Sequence, residues 1–363
     1  MSKKIFKILT INLGSTSTKV GVWENETLVK GESLQHPVEE VKRHKWVYDQ
    51  TDYRKDALEK WLRNNGFAYS DFDIFVTRGG NVHPVPGGIY MLTPDMIREM
   101  QSGRWGIHPN GIGNVISYDL GQKFGKPAIF VDPPVTDEYW ELSRLTGIPE
   151  ITNLSSFHAL NQKATARKIA ADIGKTYAEA RLIICHLGGG ISVGAHIGGK
   201  VVDCNNALDG DGPMSPERAG TVPTGSLIDM CFDGRHDQQE MHKRITGHGG
   251  WWAHLGTTDA REVVKRMKKG DEKARLVFET TCYQTAKCVG AMAAAMDGKV
   301  DGIGLTGSIA YSPDFVDYLK RKTSWIAPFY MYPGENEMEA LCAGALRYLR
   351  GEEKPAEFVP VEL

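Results

Sequence analysis

Short apolar runs alternate with clusters of glycine, serine and threonine at the start of the chain, and the same arrangement returns in its second half. Residues Ile8–Trp23 read as an apolar strand, a small-residue turn and a returning strand, and Leu182–Ile197 repeat this order. A further turn and a third short strand follow each block, and both first turns open on a Leu-Gly pair, at Leu13 and at Leu187. The pattern predicts two similar α/β halves in a chain of 363 residues.

The two turns have the composition of an anion-binding loop. Glycines allow positive φ and close backbone approach, successive N–H groups then form a nest, and hydroxyl side chains add donors or an oxygen for Mg²⁺. We predict phosphate-binding turns formed by Gly14, Ser15, Thr16, Ser17, Gly188, Gly189 and Gly190. An ordinary hairpin turn is the alternative for each. A dinucleotide-binding loop would need a helix after the glycines, whereas Ile191–His196 read as a strand.

Periodicity along the rest of the chain predicts alternating helices and strands. Helices are expected at 52–64, 111–124, 155–173, 271–296 and 337–349, and strands at 72–76, 128–131 and 302–309. This order is typical of an α/β fold whose sheet is mainly parallel after its opening meander. Because the length exceeds a single common core, we expect two domains. The Gly- and Pro-rich loop 205–225 is long enough to suggest a functional segment.

Composition narrows the class of protein. The formal net charge is −2 and no basic stripe stands out, which argues against a nucleic-acid partner. No apolar run reaches the ~18 residues of a membrane-spanning helix, so no membrane partner is expected. The 6 cysteines are scattered without a CxxC pair. With no signal peptide in view, we expect free thiols and a cytoplasmic protein.

Seven segments, in order, resemble those of the butyrate kinase family. They include the first turn, an Arg-Gly-Gly sequence, a histidine before a helix, the triple-glycine hairpin, the long loop and the acidic start of the last helix. They lie at 12–19, 78–80, 157–164, 186–196, 205–213, 215–218 and 332–341. The resemblance covers essentially the whole chain, and the broader superfamily contains acetate kinase, sugar kinases, hsp70 and actin.

The resemblance implies an α/β fold of two ribonuclease H-like (actin-like ATPase) domains, each a mixed sheet flanked by helices, with MgATP bound in an interdomain cleft. The first domain is expected over 1–150, with 337–363 packing back on it, and the second over 151–336. The implied activity is ATP-dependent phosphorylation of a short-chain fatty acid, butyrate, to an acyl phosphate. The implied cofactors are ATP and Mg²⁺, and the implied assembly is a homodimer or larger homo-oligomer.

Such a reaction joins a carboxylate to an anionic phosphoryl group, so it requires positioning and charge neutralisation above all. Arg78 and Arg218, one in each predicted domain, are the candidates for bridging carboxylate and phosphoryl oxygens bidentately. A surface salt bridge is the alternative for either arginine. Val82 and Pro84 follow Arg78 closely and are the candidates for an apolar pocket that holds the chain of the acid.

The acceptor carboxylate needs no general base, since simple carboxylic acids titrate near pH ~4 and are ionised at neutral pH. Asp132, at the carboxyl end of its strand, is therefore predicted to hold Mg²⁺, with a turn cap as the alternative. The resemblance implies Glu337 as the second acidic group at the metal, and Glu335 competes for that role. It also implies His158 and His186 near the transferring phosphoryl group, where each can donate a hydrogen bond.

By the same resemblance, Asn12, Lys19 and both turns bind the nucleotide, with Gly307 and Ser308 at the adenosine. Acetate, propionate and isobutyrate remain alternative substrates, because one methyl branch in an apolar pocket is worth only ~1–3 kcal/mol. A nucleotide-gated binding or scaffold protein on the same fold is an alternative from another class. Such a protein has no acceptor carboxylate and would need no arginine pair.

Overall fold

The computed structural model describes residues 4–362, and the chain divides into two compact units. Unit 1 comprises 1–136 together with 336–363, and unit 2 comprises 137–335. The boundary expected at residue 150 therefore lies fourteen residues beyond the last residue (136) of the first stretch of unit 1. Residues 137–150 join unit 2 through contacts such as the hydrogen bond from the Trp140 N–H to the Val202 carbonyl (2.9 Å).

Unit 1 is built on a mixed sheet. Its strands are β1 (Lys7–Leu13), β2 (Ser17–Glu24), β3 (Thr27–Gln35), β4 (Ile74–Thr77), β5 (Ile89–Met91) and β6 (Ala128–Val131). They lie in the order β3-β2-β1-β4-β6-β5. β1, β2 and β3 form the antiparallel meander, whereas β4 runs parallel to β1 and β6 runs parallel to β4. The carboxyl ends of β1, β4 and β6 consequently meet at one edge of the sheet.

Helices flank this sheet. They are α1 (Val38–Arg43), α2 (Thr51–Asn64), α3 (Pro94–Ser102), α4 (Asn110–Phe124) and, from the end of the chain, α13 (Glu337–Leu349). Both α4 and α13 pack on β1, β4 and β6. α4 ends at Gly125, whose φ of 63° is the left-handed conformation of a helix C-cap. A Cβ on Gly344 would lie 2.6 Å from Val131, so glycine allows α13 to approach the sheet closely.

Unit 2 repeats the plan. Its strands are β7 (Leu182–Leu187), β8 (Ile191–Ile197), β9 (Lys200–Cys204), β10 (Gly302–Gly307) and β11 (Phe329–Pro333). Their order is β11-β10-β7-β8-β9, with β7, β8 and β9 antiparallel and with β10 parallel to both β7 and β11. Since the meander and the parallel strands take the same order in both units, the predicted duplication and fold class are confirmed.

The helices of unit 2 come before, between and after its strands. They are α5 (Glu141–Arg144), α6 (Ala159–Asp172), α7 (Thr224–Phe232), α8 (Gln238–Ile245), α9 (Gly250–Leu255), α10 (Ala260–Lys268), α11 (Glu272–Ala295) and α12 (Pro313–Thr323). The main hydrophobic core lies between the sheet and the layer that contains α11, and it includes the fully buried Trp251. The Trp251 indole N–H donates to the Thr281 hydroxyl (2.8 Å), which satisfies its polar atom inside the core.

Three predicted element bounds are wrong by two residues or more: the strand expected from residue 72 begins at Ile74, and the other two differ for local reasons. The helix expected from residue 155 begins only at Ala159, because the preceding segment is held by tertiary contacts: Phe157 is buried against Tyr139, and the Ser156 carbonyl accepts from the Ala207 N–H (2.9 Å). The strand expected to reach residue 309 ends at Gly307. Its φ of 86° turns the chain into a short 3₁₀ helix.

Composition-based expectations can be set beside the structure. All six cysteines carry free thiols. Among the helices within residues 4–362, none has the length and apolar character needed to cross a membrane.

Candidate functional site

Several predicted site residues of unit 1 lie together at the carboxyl edge of its sheet. Asn12 is near the end of β1, Arg78 follows β4 and Asp132 follows β6. Glu337, the first residue of α13, joins them: its carboxylate accepts a hydrogen bond from Asn12 Nδ2 (2.7 Å) and forms an ion pair with Arg78 Nη1 (2.9 Å). We call Asn12, Arg78 and Glu337 the edge cluster.

The edge cluster is open to solvent on one side. The Arg78 and Glu337 side chains are 26% and 17% exposed, so a soluble anion can reach the guanidinium group. These contacts favour Glu337 over Glu335 as the candidate for the second metal-binding carboxylate. The Glu337 carboxylate contacts Asn12 and Arg78, which are both predicted site residues, whereas Glu335 belongs to unit 2.

Asp132 has an unusual backbone. It is 1% exposed and has a φ of 41°, and its N–H donates to the Gly88 carbonyl (2.8 Å). Left-handed backbone at a residue other than glycine costs on the order of 1–3 kcal/mol and is found most often at functional sites. Asn336, directly before Glu337, has a φ of 44°. Both predicted metal-holding carboxylates therefore lie at or beside strained backbone.

The first turn lies on the same edge of the sheet. The Gly14 N–H donates to the Ser17 carbonyl (2.8 Å), and Ser15 and Thr16 are exposed at its tip. Lys19 is the cross-strand partner of Asn12, which places both side chains on one face of the sheet. The predicted nucleotide-binding residues of unit 1 are thus neighbours of the edge cluster.

His108, just before α4, was not among the predicted site residues. Its Nδ1 accepts a hydrogen bond from the Asn110 N–H (3.1 Å), which leaves Nε2 as the protonated nitrogen of the neutral ring. Burial and the positive charge of Arg78 lower the pKa of His108. Its position in a loop just before a predicted helix was the only sequence signal for a role in the site. A single histidine in a loop is too common a feature to predict such a role.

The two predicted pocket residues have different environments. Val82 is 1% exposed and belongs to the hydrophobic core of unit 1, whereas Pro84 is exposed. A ligand could contact Val82 only if the surrounding core opened. The acid-binding role of these residues stays a prediction, and a larger side chain at Val82 would first disturb packing.

The second turn, Gly188–Gly190, is closely packed by the chain that follows the long loop. The Gly189 carbonyl accepts hydrogen bonds from Ser215 Oγ (2.6 Å) and from the Glu217 N–H (3.1 Å). A Cβ on Gly189 would lie 3.1 Å from the Glu217 carboxylate. The glycines of both turns have negative φ, contrary to our expectation for anion-binding loops, so close approach explains the second turn better than backbone freedom does.

Arg218 lies beside the second turn. Its Nη1 contacts Glu217 Oε2 (3.3 Å), its backbone N–H donates to Ser215 Oγ (3.2 Å), and its side chain is 21% exposed. The buried Nε forms no hydrogen bond within residues 4–362. Because an unsatisfied buried donor costs roughly 1–3 kcal/mol, an oxygen ligand at this group would be stabilised.

His158 and His186 form a stacked pair in unit 2. Their ring centroids are 3.8 Å apart and the planes differ by 15°. Two imidazolium ions at this separation would repel each other, so the stacking favours a pair in which at least one ring is neutral. His158 is the residue before α6, and His186 is near the end of β7. The structure therefore brings the two predicted histidines together, 28 residues apart in sequence.

A chain of buried polar groups extends from His158, and we call it the histidine relay. Gln162 Nε2 donates to Ser192 Oγ (2.7 Å) and faces the Ser192 carbonyl as well (3.3 Å), which orients the amide. Its Oε1 therefore accepts from His196 Nε2 (3.0 Å), and His196 Nδ1 faces the Tyr177 hydroxyl (2.9 Å).

At the other end of the relay, Ser192 Oγ lies 2.9 Å from His158 Nδ1. While the Gln162 amide donates to one of its lone pairs, the Ser192 hydroxyl can donate its own hydrogen bond to Nδ1. In that arrangement the neutral His158 ring carries its proton on Nε2, from which it can donate a hydrogen bond to a ligand. Gln162 and Ser192 lie within the segments 157–164 and 186–196 that carry the family resemblance, but neither was among the predicted site residues.

His186 is held in the opposite tautomer. Asn161 Nδ2 donates to the Glu335 carbonyl, so Asn161 Oδ1 faces His186 Nδ1 (2.9 Å) and accepts a hydrogen bond from its N–H. In the neutral ring Nε2 then offers a lone pair, and a Cβ on Gly188 would lie 2.8 Å from it. Of the two histidines, His158 is the N–H donor when both rings are neutral, and His186 donates from Nε2 only as an imidazolium.

Gly307 and Ser308, the predicted adenosine residues, end β10 and begin the 3₁₀ helix. Gly307 exchanges backbone hydrogen bonds with Gly334 (3.0 Å each), and a Cβ there would lie 2.3 Å from the Leu187 carbonyl oxygen. Its φ of 86° and this close approach both require glycine. Ser308 is exposed at the carboxyl end of β10, which runs parallel to β7.

Comparison with known proteins places this geometry in a family. A family model described as the acetokinase family matches residues 154–321. The protein named "Probable butyrate kinase" of Clostridium botulinum (strain Alaska E43 / Type E3) is 49% identical over 349 residues, covering 96% of this chain and 98% of that protein. "Butyrate kinase 2" of Clostridium acetobutylicum is 44% identical over 353 residues, covering 97% and 99%.

Solved structures share the fold at much lower identity. The acetate kinase of Porphyromonas gingivalis superposes with a TM-score of 0.78 at 18% identity, covering 94% of this chain and 99% of that one. The acetate kinase of Entamoeba histolytica gives 0.76 at 15% identity, with 94% and 100% covered. Identity of more than 40% along nearly the full length of the curated relatives shows that the chain belongs to the acetokinase family.

Proposed function

We propose that this chain is a butyrate kinase, which reversibly transfers the γ-phosphoryl group of ATP to the carboxylate of butyrate and yields an acyl phosphate and ADP. The observation that carries the proposal is the edge cluster: a solvent-accessible arginine at the carboxyl ends of parallel strands, in a chain whose relatives are named butyrate kinases. An anionic substrate can replace the Glu337 carboxylate on Arg78.

The main work of the protein in this reaction is electrostatic. Both substrates are anions, and Arg78 and Arg218 are the groups we assign to their oxygens. Arg78 has its Glu337 partner for exchange, and Arg218 has a buried Nε that no described group satisfies. The acceptor oxygen is already ionised, so the reaction needs no base from the protein.

The residues assigned to Mg²⁺ fit that ion. Within residues 4–362 no group of three or more His, Cys, Asp or Glu side chains could hold a metal by itself. Mg²⁺ in kinases is usually held by one or two carboxylates together with substrate phosphates and water. We assign Asp132 and Glu337 to this role, with hydroxyls of the first turn nearby. When bound, the ion would neutralise phosphate charge.

For the nucleotide we propose Asn12, Lys19, the two turns, and Gly307 with Ser308. The neutral His158 ring can donate its Nε2–H to an equatorial phosphoryl oxygen when the Ser192 hydroxyl donates to its Nδ1. The exposed tip of the first turn offers hydroxyl and backbone donors to phosphates. Free thiols at all six cysteines support a cytoplasmic location, and the resemblance supports a homodimer or larger homo-oligomer.

A hydroxamate trap tests the function directly. Purified protein is incubated with MgATP, hydroxylamine and one acid from the C2 to C5 series, and the acyl hydroxamate is quantified. Each buried CH₂ contributes about 0.8 kcal/mol, so butyrate is expected to exceed acetate by about tenfold or more in kcat/KM. Isobutyrate and propionate are measured alongside. A preference for acetate would reassign the substrate, and no hydroxamate with any acid would overturn the proposal.

Ser192→Ala tests the histidine relay. We expect kcat to fall roughly tenfold, because the hydrogen bond that orients His158 contributes up to about 1.5 kcal/mol. The KM values for ATP and butyrate should change little. Thr285→Ala is the matched control, since it removes a buried hydroxyl of unit 2 whose hydrogen bond is to the Thr281 carbonyl of α11. Equal losses in the two variants would argue against the relay.

A further inference from the structure

A buried guanidinium group lies directly beneath the first turn of unit 1. Arg54, in α2, is 0% exposed. Its Nη1 donates to the Ser17 carbonyl (2.9 Å) and its Nη2 to the Ser15 carbonyl (2.8 Å). Its Nε and Nη2 also donate to Gln50 Oε1, at 3.2 and 2.9 Å. Five donors are thus directed at neutral oxygens, with Thr18 Oγ1 (3.4 Å) as the remaining acceptor.

The charge of Arg54 has no counter-charge in contact with it. Among residues 4–362, none of its hydrogen-bond partners is a carboxylate. Burial lowers the pKa of Arg54, although an arginine side chain stays protonated in proteins. The neighbouring His36 has a pKa lowered to about 4, by burial and by the charge of Arg54, and so is neutral at pH 7. The interior below the turn is therefore positively charged.

A buried, uncompensated charge is destabilising unless something offsets it. The guanidinium group binds the Ser15 and Ser17 carbonyls of the first turn, and Ser15 and Thr16 are exposed at the tip of that turn. Arg54 draws the Ser15 and Ser17 carbonyls inward, which removes two negative dipole ends from the outer side of the turn. An anion resting on that tip would lie over the guanidinium group and find backbone of fixed conformation.

We propose that Arg54 is a positioning residue for phosphate: it fixes the backbone of the first turn, and its charge is compensated when a phosphate group of the nucleotide binds there. The identity of the anion rests on the proposed function. Arg54 itself does not touch the ligand. It acts through the Ser15 and Ser17 carbonyls and through the electrostatic potential at the tip.

The test separates nucleotide binding from turnover. MgADP binding to wild type and to Arg54→Gln is measured by calorimetry without any acid, and the KM values for ATP and butyrate are measured where activity exists. We expect the Kd of MgADP and the KM of ATP to rise roughly 10–100-fold, because the variant loses the charge-assisted hydrogen bonds that hold the first turn. The KM of butyrate should stay within twofold of wild type.

The control and the outcomes are specific. Arg63→Gln removes an arginine from the same helix whose side chain is 74% exposed, and it should leave both constants unchanged. Unchanged MgADP affinity in folded Arg54→Gln, or equal rises in both KM values, would overturn the proposal. If Arg54→Gln does not fold, Gln50→Ala is the deciding variant, because it keeps the charge of Arg54 but removes the Gln50 oxygen that holds the guanidinium group. A rise in the Kd of MgADP, smaller than the rise expected for Arg54→Gln, supports the proposal. No rise overturns it.

This design distinguishes the two proposals. If wild type forms no acyl phosphate but Arg54→Gln still loses MgADP affinity, the proposed reaction fails and the role of Arg54 stands. If wild type is an active butyrate kinase and Arg54→Gln binds MgADP normally, the proposed reaction stands and the proposed role of Arg54 fails.

Discussion

Arg78→Ala and Arg218→Ala are each expected to lower kcat/KM for butyrate by about 10²–10⁴-fold, the range for loss of one preorganised electrostatic group. Arg78 is the solvent-accessible cation of the edge cluster, and Arg218 has a buried, unsatisfied Nε beside the second turn. Steady-state kinetics with the hydroxamate readout measures the loss. The affinity for MgADP should change far less than kcat/KM.

The matched controls for these variants are surface arginines from the same units. Arg63→Ala in unit 1 and Arg235→Ala in unit 2 remove side chains that are each 74% exposed, and both should keep wild-type activity. Arg78→Lys adds a further comparison, because lysine keeps the charge but not the bidentate geometry, and it should recover only part of the rate. Near-normal acyl phosphate formation by either alanine variant would remove that arginine from the proposed mechanism.

Asp132→Asn is expected to raise the Mg²⁺ concentration needed for half-maximal activity by roughly tenfold or more and to lower kcat, because carboxylates supply the main protein ligands for this ion. Asparagine tolerates left-handed backbone at least as well as aspartate, so the φ of 41° should be preserved. Activity is titrated against free Mg²⁺ at fixed ATP, and the pH–rate profile is recorded in parallel.

The same experiment addresses the alternative role of Asp132. A general base would reveal itself by the loss of the acidic limb of the pH–rate profile, with Mg²⁺ dependence unchanged. That outcome would contradict the metal assignment. Asp95→Asn is a suitable control, since its carboxylate is 46% exposed and pairs with a surface arginine of α3. It should leave both the Mg²⁺ titration and the pH profile as in wild type.

Much of the fold follows from local patterns. The last helix was expected over 337–349 and is found over Glu337–Leu349, and the end of α4 at Gly125 agrees with its sequence signal. Both meanders lie where alternation and small-residue turns predicted them. These features depend on the periodicity of side-chain burial and on capping residues, which act over a few positions. The predicted start of α6 at residue 155 was wrong because tertiary contacts hold residues 155–158 out of the helix.

The site depended on tertiary structure to a greater degree. Local patterns do not join Asn12 to Glu337 across 325 positions, and only the family resemblance indicated that the last helix returns to the first domain. Their contact arises because the last helix packs on the strands of unit 1 and begins at the edge where parallel strands end. The same applies to the histidine relay, whose tautomers follow from Gln162 lying between Ser192 and His196. Residue types suggest such roles, but only packed neighbours fix which nitrogen carries a proton.

By itself, the sequence determined the repeated α/β plan, the resemblance to the butyrate kinase family and the residue types that can serve anionic substrates. Tertiary structure alone decided that Glu337 lies on Arg78, that Val82 belongs to the core and that Arg54 supports the first turn from below. The physical reason is the sequence distance over which each kind of interaction acts. Periodicity and capping are local, whereas the compensation of charge, the orientation of a hydrogen bond and the burial of a side chain depend on groups brought together from distant parts of the chain.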